Sequence, residues 1–278
     1  MSQFRVEEEF FTAHDGVRIF YRNWMASNEK GRVYLVHGFA EHSGRYRRLA
    51  EDLCARGFSL FSYDLRGHGQ SGGRRAHVDT FEDYLEDTAG FLSRFAAEGK
   101  PCWLLGHSLG GLIVARYLEE RQPELAGAVL SSPFLGMAVK VPAVKALAGK
   151  LLSSLLPALS MNTGLDPSVL SHDQQVVKAY CEDPLVSHIA TARWFTETLA
   201  AQQVVVERAI RVKLPLLVLQ AGDDKLSLVD ATRRFFARAA AQNKKLQIYE
   251  GFYHEIFNEV ERQRPIEDLL AFLEGVKA

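Results

Sequence analysis

The stretch Gly106-His107-Ser108-Leu109-Gly110-Gly111 joins two apolar runs with no room for a loop. Before it, Cys102-Trp103-Leu104-Leu105 reads as a buried strand. After it, Leu112-Ile113-Val114-Ala115-Arg116-Tyr117-Leu118 reads as a helix. The chain must therefore turn sharply from strand to helix at a serine set between glycines. Glycine is required at the flanking positions because a side chain there would strike the neighbouring strand or helix. The serine backbone is predicted to be strained, with its hydroxyl pushed out of the sheet. The helix N-terminus beneath it favours negative charge on a nearby oxygen. Ser108 is the candidate nucleophile.

A strand–G-x-S-x-G–helix turn resembles the nucleophile elbow of the α/β-hydrolases, which carry their partners in the chain order Ser, Asp or Glu, His. A hydroxyl needs a base and an acid to orient it. Leu214–Gln220 is a strand-like run ending in the acid-rich turn Ala221-Gly222-Asp223-Asp224. The short strand Leu246-Gln247-Ile248-Tyr249 leads into Glu250-Gly251-Phe252-Tyr253-His254. His254 is the expected base. Asp224 is favoured as the acid because it closes the turn, with Asp223 as the alternative. The strand Arg32–Val36 ends in His37-Gly38-Phe39, so the N–H groups of Phe39 and Leu109 are the expected oxyanion donors, with His37 shaping the loop. Asp64, in Asp64-Leu65-Arg66-Gly67-His68-Gly69-Gln70-Ser71, is read as a cap for backbone N–H groups. His77, His172 and His188 have no evident partner and are read as solvated or locally bonded.

Further segments narrow the resemblance. His37-Gly38-Phe39-Ala40-Glu41-His42-Ser43-Gly44-Arg45-Tyr46, Tyr63–Ser71, Asp166–Ser171, Asp183-Pro184-Leu185-Val186 and Ile248–His254 are similar to segments of the monoacylglycerol lipase and lysophospholipase branch. The similarity runs from about residue 10 to 275. It implies an α/β-hydrolase fold, a carboxylic ester substrate and no cofactor, and it supports Asp224 over Asp223. In this branch a polar pocket holds glycerol hydroxyls, and the matching positions here are Glu41 and Arg45. The other reading of this pair is a surface ion pair near a helix start. Some members contribute a histidine three residues after the catalytic one, where this chain has Phe257.

Strands alternate with helical stretches, with strands ending near His37, Asp64, Gly106 and Ser131. This pattern predicts a mostly parallel central sheet with helices on both faces, entered by an antiparallel hairpin over about Phe4–Trp24 that turns at Asp15-Gly16. Its catalytic residues fall at the carboxyl ends of strands. About eighty residues separate Ser131 from the next strand, too many for a structureless loop. We assign 1–132 and 215–278 to a catalytic domain and 133–214 to an inserted helical cap. The cap's first part, Phe134–Met161, is rich in Leu and Val, including Val139, Val141, Val144 and Leu147. Lys145, Lys150 and Pro157 break it, and it is too short to span a membrane. This face either packs on the catalytic domain or grips an acyl chain and touches lipid surfaces.

Net charge is −1, from 33 basic and 34 acidic residues, so nothing here attracts nucleic acid by charge. No zinc-type spacing, G-x-G-x-x-G or Walker sequence occurs. Cys54, Cys102 and Cys181 are widely spaced and fit a reduced compartment, with Cys181 in the cap read as a structural thiol. The first nine residues carry no secretory pattern, so a cytoplasmic location is expected, with transient membrane contact through the cap. Lysophospholipase, carboxylesterase and thioesterase activities use the same triad and remain alternatives to monoacylglycerol hydrolysis. A non-catalytic binding protein has no use for all three residues. Serine at the elbow argues against dehalogenases and epoxide hydrolases, which attack with a carboxylate.

Overall fold

The computed structural model describes residues 4–97, 99–138, 149 and 151–275. The expectations placed on Val139, Val141, Val144, Lys145, Leu147 and Lys150 lie outside these residues. Among the described residues, eight strands form one sheet in the order β1-β2-β4-β3-β5-β6-β9-β10. β1 (Phe4–Thr12) and β2 (Arg18–Ala26) make the antiparallel hairpin. Gly16, at φ 89°, supplies the left-handed residue of its turn. β2 pairs antiparallel with β4 (Phe58–Tyr63). From β4 onward the sheet is parallel through β3 (Gly31–Val36), β5 (Cys102–His107), β6 (Gly127–Ser131), β9 (Leu216–Ala221) and β10 (Lys244–Tyr249). β1 and β10 are the edges of this sheet, and the Glu7-Glu8-Glu9 run of β1 discourages pairing with another chain.

The inner strands are buried on both faces, as parallel strands covered by helices must be. Alternation sends Val33 and Leu35 to one core and Tyr34 and Val36 to the other. The first core is closed by α1 (Arg47–Ala55) through Leu49 and Leu53, and by α7 (Gln263–Gly275) through Ile266, Leu269 and Leu273. The second is closed by α2 (Glu82–Arg94), α3 (Leu109–Arg121) and α6 (Val229–Arg238). α3 is buried from Leu109 to Glu119, apolar over most of that length, as expected of a helix covered on all sides.

Between β6 and β9 lie α4 (Gln174–Glu182) and α5 (Ala192–Arg208). The Thr191 hydroxyl caps α5 by accepting from Trp194 N–H, and Asp173 caps α4 by accepting from Gln175 N–H. α5 lies against α3. This segment is not purely helical. β7 (Ser160–Asn162) and β8 (Ile189–Thr191) form a two-stranded antiparallel ribbon. Three-residue strands leave too short a pattern to read from sequence. Among the described residues no helix is long and apolar enough to cross a membrane.

Candidate active site

The elbow follows from close packing. A Cβ on Gly106 would strike the Gly110 carbonyl, and one on Gly110 would strike the Val36 carbonyl. Ser108 takes φ 52° and ψ −117°, a conformation side-chain-bearing residues avoid. It is held there by Ser108 N–H to Ser131 O at 3.0 Å and by its own carbonyl, which accepts from Phe134 N–H at 2.9 Å. This turn lifts Ser108 Oγ to 2.8 Å from His254 Nε2. His254 Nδ1 lies 2.8 Å from Asp224 Oδ2 and 3.0 Å from Oδ1. Asp224 Oδ1 also accepts from Leu226 and Ser227 N–H, each at 2.9 Å. A carboxylate at Nδ1 makes that nitrogen the donor, which leaves Nε2 free to accept from the serine.

Burial opposes a charge on His254, yet the Asp224 carboxylate and its hydrogen bond, helped by Glu255 and Glu41, outweigh it and raise the pKa above 6.5. Burial likewise opposes ionisation of Asp224, but His254 and the two backbone donors win and its pKa is lowered. Asp223, the alternative acid, is exposed, and its N–H donates to Phe252 O.

His37 shapes the neighbouring loop. Its Nε2 accepts from Leu65 N–H at 2.8 Å, so Nδ1–H donates to Gly38 O at 2.7 Å. Burial pushes its pKa down to about 4, so it is neutral and structural. Phe39 follows Gly38, and a Cβ on Gly38 would come within 3.1 Å of Ser108 Cβ. The Phe39 backbone therefore runs beside the serine, and Leu109 opens α3 on the other side. Asp64 accepts from Ser43 N–H, Ser43 O–H and Gln70 N–H at 2.6–2.8 Å, tying two loops together.

Glu41 and Arg45 do not form a surface pair. Glu41 is buried and Arg45 nearly so, with 9% of its side chain exposed, and Arg45 bridges two carboxylates. It donates to Glu41 Oε2 at 3.0 Å and, in a fork, to both oxygens of Glu255 at 2.7 and 2.8 Å. Glu41 Oε1 in turn accepts from Gly38 N–H at 2.5 Å and Tyr46 O–H at 2.7 Å. The loop beside the serine is thus bound to the loop bearing His254. Sequence reasoning missed Glu255, which lies 210 positions from Arg45. Phe257 is buried in the core with Ile256 and Tyr249.

Ser108 and His254 open on a cavity of about 590 Å³. Phe39, Phe134, Met137, Trp194, Phe195 and Leu226 supply much of its apolar wall, with Glu41 and Glu255 among its polar groups. Arg45 is not among the lining residues. His172 and His77 do have partners, far away in sequence. His172 Nδ1 lies 2.8 Å from Glu259 Oε1 and its ring stacks on Tyr253. His77 Nδ1 lies 2.9 Å from Thr191 Oγ1. Cys181 is exposed.

The family model described as serine aminopeptidase, S33 matches residues 27–261. The chain belongs to that family. Within it, the chain falls in the monoacylglycerol lipase branch of the α/β-hydrolases. It is 35% identical over 271 residues to a monoacylglycerol lipase of Mycolicibacterium smegmatis, covering 96% of each chain. It is 35% identical over 253 residues to phospholipase YtpA of Bacillus subtilis, covering 90% of this chain and 97% of that one. The crystal structure of Paleococcus ferrophilus monoacylglycerol lipase superposes with a TM-score of 0.86 at 33% identity, covering 93% of this chain and 99% of that one. The fold expected of an α/β-hydrolase is the one found: a mostly parallel sheet, helices on both faces and an N-terminal hairpin.

Proposed function

We propose that this chain hydrolyses monoacylglycerols to a fatty acid and glycerol through an acyl-enzyme on Ser108. The observation that carries the reading is the continuous line Ser108 Oγ, His254 Nε2, His254 Nδ1, Asp224, opening on a largely apolar cavity. His254 takes the Ser108 proton as the oxygen attacks the ester carbonyl, and Asp224 stabilises the imidazolium. The N–H groups of Phe39 and Leu109 receive the oxyanion. The tetrahedral intermediate collapses, the C–O bond to glycerol breaks, and His254 gives its proton to the departing alkoxide. Water then loses a proton to His254 and attacks the acyl-enzyme, and that proton returns to Ser108 as the fatty acid leaves.

The described part of 133–214, which lines this cavity through residues such as Phe134, Leu165 and Trp194, acts as its cap. Glu41 and Glu255 line it and suit a head group that donates hydrogen bonds, as glycerol hydroxyls do. Arg45 serves that end indirectly, by fixing both carboxylates. Leu151, Leu155, Leu156, Leu159 and Met161 are exposed on the insertion, and Met161 also lines the cavity. Such a patch is suited to transient contact with a lipid surface next to the entrance.

A lysophospholipid is the second reading. Lys225 is exposed and lines the cavity, where its ammonium can meet a phosphate, and one relative bears the name phospholipase. Hydrolysis of a monoacylglycerol and a lysophospholipid with the same acyl chain separates the two. Faster turnover of the monoacylglycerol supports the proposal. Faster turnover of the lysophospholipid replaces it with the second reading.

A further inference from the structure

Gln220 is a polar residue in a strand that is otherwise apolar, Leu216-Leu217-Val218-Leu219-Gln220-Ala221, and it is fully buried. Its amide is completely engaged. Nε2 donates to Asp224 Oδ2 at 3.1 Å and to the Ala221 carbonyl at 3.1 Å. Oε1 accepts from the Thr232 hydroxyl, on α6, at 2.8 Å. Turning the amide over would set its oxygen against a carboxylate and a carbonyl, so these partners allow one orientation. Thr232 is itself fully buried, so no exposed side chain takes part in the arrangement. A buried amide in a strand core is costly unless satisfied. Here its donor is aimed at the acid that faces His254.

We infer that Gln220, locked by Thr232, is a positioning residue that holds the Asp224 carboxylate against His254 Nδ1. Leu226 and Ser227 N–H fix Oδ1 from one side, and the Gln220 amide fixes Oδ2 from the other. The inference rests on the Ser108–His254–Asp224 mechanism proposed above.

The test is steady-state hydrolysis of a soluble p-nitrophenyl ester between pH 5 and 9 by wild type, Ser108→Ala, Gln220→Leu, Thr232→Val, Thr232→Ser and the Gln220→Leu/Thr232→Val double variant. Loss of a hydrogen bond to a charged group predicts that Gln220→Leu lowers kcat about tenfold with KM within about twofold. Thr232→Val falls in the same direction, and Thr232→Ser, which keeps the hydroxyl, restores activity. The double variant is no slower than Gln220→Leu, because Thr232 acts through Gln220. The acid limb of kcat/KM moves to lower pH in Gln220→Leu, because an Asp224 carboxylate no longer held at Nδ1 stabilises the imidazolium less. The other ionisable groups facing His254, namely Glu255, Glu41 and His107, are unchanged in these variants.

Wild-type kcat and an unmoved acid limb in Gln220→Leu overturn the inference. So does a loss in kcat in Gln220→Leu that leaves the limb in place or moves it to higher pH. Should Gln220→Leu not fold, the two Thr232 variants decide: equal activities reject the inference, and loss in Val with recovery in Ser sustains it. Wild-type turnover that survives Ser108→Ala is a separate result, which removes the proposed mechanism itself.

Discussion

At the scale of single residues, the site sets two ionisable side chains, His254 and Asp224, against their own burial. His254 lies away from solvent, which alone would make it a weaker base than a free imidazole. The Asp224 carboxylate reverses this, and Glu255 and Glu41 add to it, so the folded pKa lies above 6.5. As the base proposed above, His254 must be neutral, so activity is expected to fall as pH drops through that raised pKa. The acid limb of kcat/KM is therefore expected above pH 6.5, and full activity at pH 5 would exclude His254 as the base. The neighbouring His37 and His107 have pKa values near 4 because burial dominates, so they stay neutral over that range and do not contribute a second limb. Ser108, Asp224 and His254 were readable because each sits at the end of an apolar run, where a local pattern marks it. Gln220 also sits at the end of an apolar run, but inside the strand rather than in a turn rich in glycine or acid, and its role comes from Thr232 and Asp224, which fold back onto it.

At the scale of elements, tight turns and buried charges set the loops around the cavity. The elbow needs glycine at position 110, where the α3 backbone meets the Val36 carbonyl. Gly110→Ala is expected to lower the thermal midpoint and kcat together, by at least about 1–3 kcal/mol of stability, as overpacking does. An unchanged midpoint would show that the helix can retreat from β3. Arg45 neutralises two buried carboxylates on different loops. Arg45→Met leaves Glu41 and Glu255 uncompensated and is expected to cost about 3–5 kcal/mol in urea unfolding. A cost below about 1 kcal/mol would mean that water or protonation satisfies them. The sequence placed Glu41 and Arg45 near a helix start, which left a surface pair open. What buries them is the histidine loop and Tyr180, whose ring lies 4.8 Å from the Arg45 guanidinium. Contacts between segments so far apart leave no periodicity to read. The β7–β8 ribbon was invisible for a related reason, since strands of three residues are too short to show an alternating pattern.

At the scale of the whole molecule, the parallel sheet and both cores were legible because buried strands alternating with amphipathic helices admit few arrangements. The strand order was not legible, because the apolar runs of β3, β4, β5 and β6 are interchangeable as patterns. The segment between β6 and β9 is tied to the loops that follow β3 and β10 through pairs such as His42 Nε2 with Asp183 Oδ2 at 2.8 Å and His172 with Glu259. Leu151, Leu155, Leu156 and Leu159 are exposed in the stretch that leads to Met161, which lines the cavity. Leu151→Ser/Leu155→Ser is expected to weaken partition to neutral lipid vesicles about tenfold or more in co-sedimentation, since each leucine removed from contact loses roughly 1.5–3 kcal/mol. Turnover of a soluble short-chain ester should be unaffected. Equal vesicle binding by wild type and variant would assign the patch to another contact. The most direct test of the central claim is hydrolysis of a monoacylglycerol by wild type and Ser108→Ala under identical conditions. The account predicts release of fatty acid and glycerol by wild type and a fall in kcat of about 10⁶-fold in the variant. Fatty acid release by Ser108→Ala at the wild-type rate would contradict it.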